Sequence, residues 1–195
     1  PEEDATNISV MTLGLGLGKT SKYKKSALSF DVSYINLAPY QLVVPQNTDW
    51  NKPIQSLSGQ SIYRYKFNKG LFKLYATYDR TSLDLNQVDI NYVDKIRFDL
   101  KNDNFYMNSS YKGDLTDRLQ IQSGFSFGYT KNHIGIVSDR VQNTEKAFHY
   151  KLKLRANFSN QFKLNFGGEV FNTNFDENYT PNTQTTSVYG YENTQ

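Results

Sequence analysis

The stretch AFHYKLKLRANFSNQFKLNFGGEVF, residues 147–171, alternates apolar and polar side chains almost without a break. One set is Phe148, Tyr150, Leu152, Leu154, Ala156 and Phe158; the other is His149, Lys151, Lys153, Arg155 and Asn157. An extended chain sends alternate side chains to opposite faces, so this is an amphipathic strand with a basic reverse side. After SNQ the pattern resumes, with Phe162, Leu164, Phe166 and Val170 set against Lys163, Asn165, Gly167 and Glu169. Two arrangements satisfy such a hairpin. Either the apolar face covers a protein core and the cations meet water, or the apolar face meets lipid and the cations line an interior.

Composition narrows the choice. The chain has 195 residues, enough for one domain or part of a larger one. A net charge of +3 is too small to argue for a nucleic-acid partner. With no cysteine there is no disulfide framework, thiol catalysis or thiolate metal site. The mean hydropathy is negative and no run of apolar residues is long enough for a membrane helix. A transmembrane barrel would give the same average, because its lumen-facing half is polar. Fifteen tyrosines, 13 phenylalanines and abundant small polar residues are a β composition. The chain opens PEEDATNIS, without a signal peptide, and closes in a polar stretch, so both ends look cut from something longer.

Period-2 segments recur along the chain. They fall at residues 7–18, 27–37, 61–67, 71–79, 104–112 and 119–130, before the two of the opening hairpin. TSVYGYE, near the C-terminus, reads as the start of a ninth. Connections alternate in length. KTSKYKK, NKG, GDLTD and SNQ are short, and NKG suits a three-residue loop with Gly70 in the left-handed region. Residues 39–60, 81–103, 132–146 and 176 onward read as long connections. A meander with short turns at one end and long loops at the other is the habit of outer-membrane barrels. Aromatic residues agree, with Phe67, Phe72, Tyr111, Phe158 and Phe162 beside the short turns and Tyr78, Tyr129, Phe148 and Tyr150 toward the long connections. The expectation is an all-β, antiparallel up-and-down transmembrane β-barrel, of which residues 1–195 form one segment of about eight to nine strands. Its lipid-facing or girdle residues would be Phe72, Tyr78, Phe125, Phe127, Tyr129, Phe148, Phe158 and Phe162.

The run NLAPYQLVVPQNTDWNKPIQSLSGQSIYRYKFNKGLFKLYATYD, residues 36–79, resembles the barrel domain of TonB-dependent outer-membrane receptors, particularly those of Bacteroidota. The features are Trp50, Pro53, Gly59, the YRYKF strand and GLFKLYATYD after a tight turn; LQIQSGFSFGYTKN and FKLNFGGEVF have the same look. The resemblance implies a segment amounting to roughly a third of a barrel of about 22 strands, with no plug domain in this chain. It also implies nutrient uptake across the bacterial outer membrane, with lipid, the protein's own plug, the TonB system and a surface lipoprotein as partners. The alternatives are a non-transporting outer-membrane barrel, structural, adhesive or part of a surface or secretion assembly, and a soluble lipocalin-like ligand-binding domain.

Little points to catalysis or a cofactor. His133, read as a loop residue, and His149 are 16 positions apart with no cysteine to join them in a zinc site. GLGLG at 14–18 places its glycines along a strand rather than ahead of a helix, so it is not a phosphate loop. The series Asp84, Asp89, Asp94, Asp99 and Asp103 lacks the two-residue spacing of a calcium loop. Neither an enzyme nor a metal or other cofactor is expected. The functional candidates are Arg64, Lys66, Lys73, Lys151, Lys153, Arg155 and Lys163, all at polar-phase positions and so expected on the lumen side. Such a lining attracts anionic solutes, or pairs with acidic residues of a plug. Trp50, Tyr40 and Tyr179, read as loop aromatics, could stack on sugars or simply pack the loops together.

Overall fold

A computed structural model describes residues 13–43, 48–90, 93–159, 161–181 and 187–194. Its elements are β1 (Leu13–Tyr23), β2 (Ser26–Asn36), α1 (Ala38–Val43), β3 (Asp49–Phe67), β4 (Gly70–Gln87), β5 (Ile96–Asp114), β6 (Leu119–Ile136), β7 (Asp139–Asn157), β8 (Lys163–Thr180) and β9 (Ser187–Thr194). The nine strands form one antiparallel sheet in sequence order, a simple up-and-down meander, and it is open between β1 and β9 among the described residues. The segment expected from Asn7 begins as strand only at Leu13; residues 7–12 lie outside the described residues.

The expected long connections are mostly strand. β4 and β5 pair without interruption from Gly70↔Gly113 to Gln87↔Ile96, and β6 and β7 from Leu119↔Ala156 to Ile136↔Asp139. The turn between β6 and β7 is Val137–Ser138 alone, so the loop expected over 132–146 is a hairpin and His133 is a strand residue. Trp50 and Tyr179 likewise belong to β3 and β8, and Tyr40 to α1. Pro53 sits in β3 where the register slips between Lys52 and Gln55, a place where its missing N–H costs no ladder bond. KTSKYKK is strand as far as Tyr23, and Lys24–Lys25 make the turn. The NKG loop also differs: Asn68–Lys69 make the turn, no glycine has positive φ among the described residues, and Gly70 opens β4. Gly70 is needed for space, since a β-carbon there would lie 2.6 Å from the Tyr111 hydroxyl, whose ring leans over Gly70 and its partner Gly113.

Cross-strand partners share a face, so the register sorts side chains across the whole sheet. One face carries Leu28, Phe30, Val32 and Tyr34 of β2; Tyr63, Tyr65 and Phe67 of β3; Phe72, Leu74, Ala76 and Tyr78 of β4; and Phe105, Met107 and Tyr111 of β5. It continues through Ile121, Phe125, Phe127 and Tyr129 of β6, Phe148 to Ala156 of β7, and Leu164, Phe166 and Val170 of β8. Ring contacts stitch it together, among them Phe67–Tyr111 at 5.9 Å and Phe125–Phe148 at 5.3 Å. Among the described residues no second layer covers this face, and Leu28, Phe30, Val32, Phe166 and Val170 stand exposed. In a soluble sandwich or lipocalin these side chains would form the core.

The apolar band crosses the sheet obliquely. In β2 it centres on Asp31, whose row leads by register to Thr173 in β8, yet in β8 the band (Phe162 to Val170) centres on Phe166. That shift of about seven residues over six strand spacings, at ~3.3 Å per residue and ~4.8 Å per strand, is a slope of roughly 40°. A level belt on tilted barrel strands produces this slope, since barrel strands lean by ~35–45°. Lys19 and Ser21 of β1 break the pattern: the slope puts the belt's midpoint on β1 near Leu17, so Lys19 is a cation within the belt's width and Ser21 lies at its short-turn edge.

Beyond the belt, toward the β4–β5 and β6–β7 turns, the two faces exchange character. Leu83, Leu85, Ile96, Phe98, Leu100, Ile134, Ile136 and Val141 now occupy the face that is polar elsewhere. Asp84, Arg97, Asp99, Lys101, Asp103, Lys131 and His133 occupy the other. These three strand pairs hold their register throughout, so the exchange is written in the sequence and not produced by a bulge. Strands of 18 or 19 residues are nearly twice the ~9–11 residues that would cross a bilayer at this tilt, and their far ends form hairpins beyond the apolar belt.

Candidate functional site

On the reverse of the apolar belt the sheet is polar, and toward the short turns it is basic. Arg64 and Lys66 of β3, Lys73 of β4, Lys151, Lys153 and Arg155 of β7 and Lys163 of β8 all fall on this face. Four of them, Lys66, Lys73, Lys153 and Arg155, line one hollow of about 900 Å³. Lys112 of β5 lines it too, on the register row that runs Lys66, Leu71, Lys112, Gln122, Lys153. Gln120, Gln122, Ser110 and Asn165 add neutral hydrogen-bonding groups between the cations. Asp114 is the carboxylate among the described lining residues; Lys69, at the rim, is paired with Asp117 at 3.0 Å.

The remaining predicted cations differ in their surroundings. Lys151 donates to Glu169 at 3.0 Å, and His149 lies 3.2 Å from the same carboxylate, so Lys151 is neutralised within the sheet. Arg64 is the register partner of Lys73 and stands outside the hollow's lining. Lys163 pairs with Asn157 at the end of β8, beyond the hollow. Sequence reasoning did not single out Lys112, though its neighbour Tyr111 on the apolar phase implies that it faces the other way.

This geometry concentrates positive potential. Like charges held a few ångströms apart on a sheet repel one another, and an anion settling among them relieves that repulsion while gaining several ionic hydrogen bonds. Beside the hollow on the same face, Gly167 is obligatory because a β-carbon would collide with the Leu152 carbonyl and lie 2.9 Å from the Lys153 Cα.

The projecting hairpins are held by polar clasps. Arg97 donates to both carboxylate oxygens of Asp84, at 3.1 and 2.6 Å, and Asn51 adds a third bond at 3.0 Å. The Arg97 guanidinium holds the Asp84 carboxyl below its ordinary value. Tyr179 donates to Asp139 at 2.8 Å across β7–β8, which raises its phenol above the usual range, so this aromatic is committed to the sheet. Trp50 lies beside Leu85 in the β3–β4 ladder. His133 is held toward its neutral form by burial and by Lys131 and Lys101. Of the acidic series, Asp84, Asp99 and Asp103 lie on the face that carries the apolar belt, and among the described residues no three metal-ligating side chains come together.

The class of fold is thus an antiparallel up-and-down β-wall, apolar on one face and basic on the other. Among solved structures, the ferric yersiniabactin uptake receptor FyuA from Yersinia pestis is similar, with a TM-score of 0.56 over 94% of this chain and 33% of that one, at 8% identity. The chain spans about a third of that receptor's length, and at this identity the likeness shows the fold alone. No family model matches the chain, and no curated protein is significantly similar to it.

Proposed function

We propose that this chain is wall of a bacterial outer-membrane barrel of the TonB-dependent uptake-receptor kind, with the apolar belt in lipid and the basic basin facing the lumen. The observation that carries the reading is the oblique apolar belt, whose slope equals the lean of barrel strands and whose reverse face is the cationic hollow. Likeness of the wall to an uptake receptor of similar strand arrangement supports it. On this reading the protein binds and passes a solute without catalysing a reaction. Lys66, Lys73, Lys112, Lys153 and Arg155 face either an anionic solute or acidic side chains of a plug domain. The TonB system and a surface lipoprotein belong to the same proposal.

The test is fractionation of cells expressing the intact protein. It should sediment with outer membranes, resist alkaline carbonate extraction and migrate differently on gels when unheated. Recovery in the soluble fraction without detergent would contradict the reading.

A further inference from the structure

A second cationic feature lies on the opposite, lipid-side face, and neither transport nor a plug accounts for it. Beyond the belt stand Arg80 on β4, Lys101 on β5, Lys131 on β6 and Lys146 on β7. The belt midpoints on those strands are Tyr75, Asn108, Phe125 and Lys153, so each cation is about five to seven residues from its midpoint. With ~3.3 Å per residue and a lean of roughly 40°, all four come to about 13–18 Å from the mid-plane. The apolar layer reaches ~15 Å from the mid-plane and the headgroup layer ~5–8 Å further. The cations therefore form a level collar at headgroup height, although no two of them are direct register partners.

Three of them stand outside the described ion pairs, although Asp103 is the direct register partner of Lys131 across β5–β6. Asp103 accepts from Tyr78 at 2.8 Å and lies 3.5 Å from Arg80, so Arg80 has a partner. No carboxylate pairs with Lys101, Lys131 or Lys146 among the described ion pairs. Lys131 is diagonal to both of the others across adjacent strands, a spacing of ~7–8 Å between β-carbons. Above them a hollow of about 530 Å³ holds Lys101, His133, Arg140 and Asp99, and Asp176 stands one row above Lys146. On β4 to β7 the other end of the same face has no counterpart among the described residues, the cation on that side being Lys19 of β1. Past its aromatic residues come Gly70, Gly113, Leu119 and Ala156, all uncharged.

We propose that Lys101, Lys131 and Lys146 seat the phosphate groups of lipids in the leaflet at the projecting-hairpin end. The inference rests on the membrane reading above. Lysine stems lie along apolar surface while the ammonium groups reach the headgroup layer, and ammonium is a point-charge ligand for phosphate. Three such groups at diagonal spacing match a headgroup carrying more than one negative charge better than a lone carboxylate. Electrostatic attraction of this kind accumulates with each basic residue near the surface.

The experiment uses the intact protein in nonionic-detergent micelles doped with phosphatidic acid, or with an equal fraction of diacylglycerol, and counts retained lipid by native mass spectrometry. Phosphatidic acid should be retained and diacylglycerol not. The combined variant Lys101→Gln, Lys131→Gln, Lys146→Gln should lower retention by about tenfold or more, whereas Lys22→Gln, on the other face, should leave it unchanged. Circular dichroism of each variant checks folding. Retention unaltered in the triple variant overturns the proposal, as does displacement of the lipid by millimolar inorganic phosphate, which would make this a free-anion pocket. A protein that stays monodisperse without detergent instead overturns the membrane reading, an outcome distinct from either.

Discussion

Arg64 on β3 and Lys73 on β4 are direct register partners, two cations facing each other across a hairpin on the same side of the sheet. Like charges so placed oppose folding, by up to ~1 kcal/mol. Removing one is expected to help the fold and hurt the site. Lys73→Gln should raise the thermal midpoint of the detergent-solubilised protein slightly while weakening binding of tripolyphosphate, a probe anion, several-fold. A lowered midpoint would mean that the pair is bridged by a group that stabilises both.

Gly167 and Gly168 are neighbours with opposite tolerances. At Gly167 a β-carbon meets the β7 backbone, whereas at Gly168 it meets nothing within 4 Å. Gly167→Ala should cost ~1–3 kcal/mol by forcing β7 and β8 apart, and Gly168→Ala should be neutral or stabilise by ~0.5–1 kcal/mol. Unfolding midpoints in urea decide the point, equal effects being the contrary result.

Val137 adopts a φ of 58° in the two-residue turn of the β6–β7 hairpin. A β-branched residue in the left-handed region costs on the order of 1–2 kcal/mol, which glycine avoids. Val137→Gly should therefore stabilise the hairpin, seen as slower amide exchange at Ile134 and Val141. Faster exchange would show that the valine side chain contributes more than its backbone costs.

The Asp84–Arg97 clasp gives the projecting hairpins an acid dependence. Because Arg97 and Asn51 lower the Asp84 carboxyl in the folded chain, its contribution is fully present above the unfolded value, ~4, and is lost as pH falls through the lower folded value. Amide protection at Leu85 and Phe98 should decline below about pH 4. Asp84→Asn should remove that acid step; an unchanged step would assign it to another carboxylate.

How much of this could be read in the sequence follows from what alternation encodes. Period two assigns faces within one strand, so Phe127 and Lys153 were placed on opposite sides from their own neighbours alone. It does not reveal where apolar residues switch phase, as between Tyr78 and Leu83 on β4, and that switch made strand look like loop. Nor does it give register, which brings Lys112 beside Lys66 and Lys153. Gly70 was read for its backbone freedom, but it serves by its lack of a side chain beneath Tyr111.

The central claim is that the Leu152 face meets lipid and the Lys153 face does not. The chain has no cysteine, so Leu152→Cys and Lys153→Cys can each carry a single spin label in the intact protein reconstituted in bilayers. The label at 152 should be relaxed by oxygen and shielded from a water-soluble nickel chelate, and the label at 153 should show the reverse. Equal chelate access at both positions would contradict the account.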